Sequence, residues 1–94
     1  MIQENMRLHA VIRGKVQGVG FRVTTQWQAK KFQLTGWVKN RADGKVEVLA
    51  EGPWLYLEQF LLWLKEGPET ARVLEVGYQF SPATNEFHFF EIRE

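Results

Sequence analysis

An α+β fold, with two helices on one face of a mostly antiparallel sheet, follows from three observations on the sequence. Stretches with an apolar residue at every second position alternate with stretches whose apolar residues recur every three to four. The helix-like stretches are bracketed by glycine or proline, and an Asp-Gly pair stands between two strand-like ones. The order that results is strand, helix, strand, strand, helix, strand, strand.

Leu8-His9-Ala10-Val11-Ile12-Arg13 opens the series, with Leu8, Ala10 and Ile12 on one face and His9 on the other. From Phe21 to Phe32 the period becomes helical. Phe21, Thr25, Ala29 and Phe32 make one buried stripe, and Val23 with Trp27 adds a second pair that broadens the apolar face, Trp27 being read as packing or surface rather than as a ligand-stacking platform. Thr35 to Asn40 is the next strand, Arg41-Ala42-Asp43-Gly44 its turn, and Lys45 to Glu51 the returning strand. In that strand Val46, Val48 and Ala50 point inward and Glu47 and Glu51 outward.

Gly52-Pro53 begins the second helix, in which Leu57, Phe60, Leu61 and Leu64 form the buried stripe, and Gly67-Pro68 ends it. Trp54, Leu62 and Trp63 exceed what one face buries and are expected at the helix margins, a partner surface being the other reading. Ala71 to Phe80 reads as a long strand with Leu74, Val76, Tyr78 and Phe80 on one face. Ser81 to Asn85 is a turn, and Phe87 to Arg93 the last strand, with Phe90 and Ile92 on one face and His88 beside them. Two helices at this spacing give the split βαβ, ferredoxin-like sandwich with an additional C-terminal strand.

Size and charge narrow the function. The 94 residues make one domain, 1–94, with room for a single core, and residues 1–6 are expected to be flexible. No run approaches the roughly 20 apolar residues of a membrane span, and Met1-Ile2-Gln3-Glu4-Asn5-Met6 is not a secretory signal. A cytoplasmic, monomeric protein without membrane association is expected. The absence of cysteine excludes disulfides, thiol nucleophiles and Cys-based metal sites, and His9 and His88 stand alone, so no metal is expected. The net charge of +1 divides unevenly: residues 1–46 carry nine Lys and Arg against two acids, residues 47–94 three against nine. The basic half suits a small anionic ligand.

That half holds Gly14-Lys15-Val16-Gln17-Gly18-Val19-Gly20-Phe21-Arg22, between the first strand and the first helix. Glycines here let the backbone turn so that successive N–H groups converge on an anion. The helix start near Phe21 adds unpaired N–H groups and a positive dipole end, and Arg22 a planar charged fork. The stretch lacks the Gly-Lys-Ser/Thr ending of a P-loop and the spacing of a dinucleotide fingerprint. Asn40, at the end of the second strand, is placed to face the same pocket as Arg22.

This stretch, with Gly36-Trp37-Val38-Lys39-Asn40 and Asp43-Gly44-Lys45-Val46-Glu47, closely resembles the acylphosphatases, and the Gly52-Pro53 and Gly67-Pro68 boundaries match as well. The resemblance runs from about Leu8 to Arg93. It departs at Gln33, where the family usually has glycine; a left-handed Gln33 costs about 1 kcal/mol and leaves the site intact. The resemblance implies a free-standing acylphosphate phosphohydrolase without cofactor. Arg22 would hold the phosphate together with the backbone N–H groups of Gln17, Gly18, Val19, Gly20, Phe21 and Arg22, and the Asn40 amide would position the attacking water. An acyl phosphate is then the partner, and inorganic phosphate or sulfate a product or inhibitor.

The chemistry agrees with that implication. A carboxylate leaving group, whose conjugate acid has a pKa of about 4, needs no general acid. Phosphoryl transfer asks mainly for positioning and for charge aimed at the equatorial oxygens. A non-catalytic anion-binding or accessory module on the same scaffold is the alternative. An RNA-recognition module shares the element order, but Glu47, Leu49 and Glu51 on the outer face of a central strand repel a phosphate backbone, so no nucleic acid is expected.

Overall fold

A computed structural model describes residues 4–94. The elements are β1 (Asn5–Lys15), α1 (Phe21–Lys31), β2 (Thr35–Asn40), β3 (Val46–Pro53), α2 (Trp54–Glu66), β4 (Arg72–Pro82) and β5 (Phe90–Arg93). The sheet runs β4-β1-β3-β2-β5, antiparallel at every pairing except β2 with β5. Both helices contribute to one core against one face of this sheet: Phe21, Thr25 and Ala29 from α1, and Leu57, Phe60, Leu61 and Leu64 from α2. Leu8, Ala10, Ile12, Val38, Val46, Val48, Ala50 and Phe90 complete it from the strands. The expected sandwich with its extra C-terminal strand is the observed one.

Strand β1 is longer than its apolar alternation indicates. It begins at Asn5, which pairs with Pro53, while residues 1–3 of the stretch expected to be flexible lie outside the described residues. Between Arg13 and Gly14 its register with β4 slips, so that Arg13 faces Glu75 but Gly14 faces Val73. Leu74 is the extra residue of this bulge. It is turned out to solvent, and Val73 takes the inward place that strict alternation gives to Leu74. A side chain at Gly14 (φ 138°) would overlap the Arg72 carbonyl, so the bulge requires glycine there.

Other expectations change as well. Val23 and Trp27 do not widen the buried face of α1; they are 44% and 65% exposed on its solvent side. The start of α2 is one step later than expected, because β3 continues through Pro53, which serves as N-cap. Of the surplus apolar residues on α2, Trp63 packs against Phe21 and Trp54 against Phe80, whereas Leu62 is open to solvent. Strand β5 is confined to Phe90–Arg93, where Phe90 is buried; Ile92 lies at the exposed sheet edge and His88 before the strand, in the open.

Glu51 is the largest correction. It does point to the outer face, yet it is only 3% exposed because the connection from β4 to β5 folds over it. Its carboxylate accepts the backbone N–H groups of Thr84 and Asn85, both at 2.9 Å, and the Arg7 Nε–H at 2.7 Å. Asn85, at φ 59°, supplies the left-handed half of that two-amide nest. Burial alone pushes the Glu51 carboxyl up, but the bonds from Thr84, Arg7 and Asn85 together hold it below its ordinary value.

Helix α1 ends in a two-bond cap. The Leu34 N–H reaches Ala29 O at 2.9 Å and the Gln33 N–H reaches Lys30 O at 3.0 Å, with Gln33 left-handed at φ 57°. This is the Schellman arrangement, in which glycine is the usual occupant.

Candidate active site

The chain between β1 and α1 turns on Gly18 (φ 74°) and Gly20 (φ 75°), with Val19 between them and open space where side chains would stand. Their demand is conformational rather than steric. Gly20 is the N-cap of α1, and since it has no side chain, no side-chain oxygen caps the helix. The first turn holds no acidic residue either. Among the described residues, the backbone N–H groups from Gly18 to Val23 donate to no carbonyl or side chain. A row of free donors thus meets the positive end of the helix dipole, worth roughly half an elementary charge.

Two side chains fix this loop. Gln17 donates its amide to the carbonyls of Arg41 at 2.8 Å and Lys45 at 2.9 Å, the two ends of the β2–β3 turn. The turn is closed by its own bonds, Arg41 N–H to Lys45 O at 2.8 Å and Lys45 N–H to Asp43 Oδ1 at 3.1 Å. That second bond, with Arg41 nearby, holds the Asp43 carboxyl below its ordinary value. On the other side the Thr70 hydroxyl donates to Val19 O at 2.6 Å, tying the loop to the connection after α2.

The result is a cavity of about 110 Å³ lined by Val16, Gly18, Gly20, Phe21, Arg22, Val23 and Asn40. Val16 and Phe21 are buried and close its floor. Arg22 and Asn40, expected from sequence to share a pocket, do so. The Arg22 guanidinium is held on one side by a long bond of 3.4 Å to Arg93 O, from β5. Asn40 Oδ1 is buried and, among the described residues, accepts a hydrogen bond from no group. An orphaned acceptor of this kind is costly unless a ligand or solvent donor completes it.

Not every expected site residue touches the cavity. Gly18, Gly20, Phe21 and Arg22 line it; Gln17 and Val19 flank it, one holding the turn and the other held by Thr70. The Gln17 side chain and Thr70 were missed from sequence. The glycine motif speaks only for the Gln17 backbone, and Thr70 lies 51 residues from the carbonyl it binds, so no local spacing marks either side chain. Among the described residues no group of three or more His, Asp or Glu is placed to hold a cation.

The acylphosphatase family model matches residues 8–92. The chain belongs to the acylphosphatase family. A curated acylphosphatase of Marinobacter nauticus is 50% identical over 84 residues, which cover 89% of this chain and 91% of that one. The crystal structure of an acylphosphatase from Bacillus subtilis is similar with a TM-score of 0.91 at 40% identity, covering 95% of this chain and 99% of the other. A phosphate- and nucleotide-bound crystal structure of full-length HypF also matches, with a TM-score of 0.85 at 26% identity; it covers all of this chain but 12% of that one. Among the described residues of this acylphosphatase-family chain, no helix is long and apolar enough to cross a membrane.

Proposed function

We propose that the chain hydrolyses acyl phosphates to a carboxylate and inorganic phosphate by direct in-line attack of water on phosphorus. The observation that carries this reading is the meeting of Arg22, Asn40 and the uncapped glycine turn on one cavity. The phosphoryl oxygens take the backbone N–H groups of residues 17–22, of which those from Gly18 onward are free, and the Arg22 fork, which concentrates positive charge where the transferring group spreads its negative charge. The Asn40 amide, with its unpaired Oδ1, accepts from the water and aims its lone pair at phosphorus.

The new bond joins the water oxygen to phosphorus as the bond from phosphorus to the acyl oxygen breaks. That bonding pair leaves with the carboxylate, and the water proton passes to a phosphoryl oxygen. No group in the cavity has to act as an acid or base, which fits a lining without His, Asp or Glu. The same donors would take inorganic phosphate or sulfate as a product or competitive inhibitor. All of them come from one chain, so a monomer suffices.

Hydrolysis of benzoyl phosphate in a chelating buffer tests the reading. Wild-type turnover, with Arg22→Ala and Asn40→Ala folded but reduced about 100-fold or more, is the expected result. The HypF match, a small part of a much longer chain, favours a second reading, an anion-binding module that serves another activity. A folded wild type that binds phosphate and turns over no acyl phosphate would establish that alternative.

A further inference from the structure

The exposed apolar pair on α1 stands next to this cavity. Val16 and Phe21 are buried in the floor and Asn40 Oδ1 is buried in the wall, so beside the half-buried Arg22, which grips the phosphate, the open side through which substrate projects is formed by the exposed Gly18, Gly20 and Val23. The two glycines offer no side chain there. Val23, 44% exposed, is therefore the apolar side chain at the mouth, and Trp27, 65% exposed, lies four residues on along the same face. Residues so spaced are surface neighbours one turn apart. An exposed indole and an exposed valine, continuous with a phosphate-sized cavity, form an apolar strip that starts where the acyl group must emerge.

We infer that Val23 and Trp27 form the acyl subsite, and that the chain favours acyl phosphates whose acyl part is aromatic and extended over small aliphatic ones. The inference rests on the acyl-phosphate hydrolase reading above. A phenyl ring on the carbonyl ends beside Val23, and a second ring in the para position carries it one helical turn further, onto Trp27. An acetyl group reaches neither. The flat indole face suits an aryl plane better than a branched chain, because aromatic pairs gain beyond the area they cover.

The test compares kcat/KM for acetyl, benzoyl and biphenyl-4-carbonyl phosphate in wild type, Trp27→Ala and Trp27→Phe. Wild type is expected to prefer the biphenyl substrate to the acetyl one. Trp27→Ala lowers the ratio of their kcat/KM values about three- to tenfold, less than the loss from an enclosed apolar pocket. The loss falls on KM for the biphenyl substrate, the benzoyl ratio moves less, and Trp27→Phe restores most of the preference. Hydrolysis of all three substrates with a ratio that Trp27→Ala does not change overturns the subsite alone. A wild type that hydrolyses none of them overturns the hydrolase reading and the subsite with it.

Discussion

Arg22 and Asn40 differ in what the fold gives them. Arg22 keeps its guanidinium exposed, with one long bond to a backbone carbonyl, so its planar face and remaining N–H groups stay free for a ligand. Lysine keeps the charge but not the fork. Arg22→Lys is therefore expected to lose about 100-fold or more in kcat/KM for benzoyl phosphate; near wild-type turnover would remove the clamp role. Gln17 acts differently, through the two turn carbonyls it joins. Gln17→Ala breaks two neutral bonds at about 1 kcal/mol each. It also loosens the tie between the loop that carries the free N–H groups and the turn after Asn40. Denaturant titration should show a loss of about 2 kcal/mol, and kcat should fall more than KM rises.

At the scale of elements, the alternation of Leu8, Ala10 and Ile12 and the heptad-like run Leu57, Phe60, Leu61, Leu64 were legible because burial follows local period. Leu74 was not, because the bulge that reverses it is set by Gly14, sixty residues away. Val23 and Trp27 broaden the apolar pattern but not the core for a related reason: an i, i+4 apolar pair looks the same whether it faces a core or solvent. The cap of α1 offers a direct check. Gln33→Gly relieves a left-handed side chain without touching the two cap bonds or the cavity. It is expected to stabilise the chain by about 1 kcal/mol. For a domain of this size that is a rise in Tm of about 4–8 °C, with kcat unchanged. A Gly14→Ala variant should go the other way, since the Arg72 backbone cannot yield without breaking the bulge.

Across the whole molecule, the site depends on strands brought together from distant parts of the sequence. Strand β5 reaches α1 through Gln26 Nε2–H to Phe90 O at 3.1 Å and through Arg22 to Arg93 O. The connection that delivers β5 is clasped by buried Glu51, a residue whose alternation predicted an exposed place. No spacing reveals that residues 84 and 85 will fold over it, so this tie was invisible in the sequence while the glycine loop and Asn40 were plain. Because the folded Glu51 carboxyl is held below its ordinary value of 4.5, its contribution is complete above that pH and fades as the pH falls through the folded value. Glu51→Gln should be less stable than wild type at neutral pH, and the two unfolding free energies should converge as the pH falls below the ordinary carboxylate value. Parallel curves down to the acid limit would mean that the clasp does not depend on the charge.

The central claim is that the cavity holds the phosphoryl group and directs water to phosphorus. It is tested most directly by hydrolysing benzoyl phosphate in ¹⁸O-enriched water and reading both products by mass spectrometry. The account predicts one ¹⁸O atom from solvent in the inorganic phosphate and none in the benzoate. Label in the benzoate would place the attack on the carbonyl carbon and contradict it.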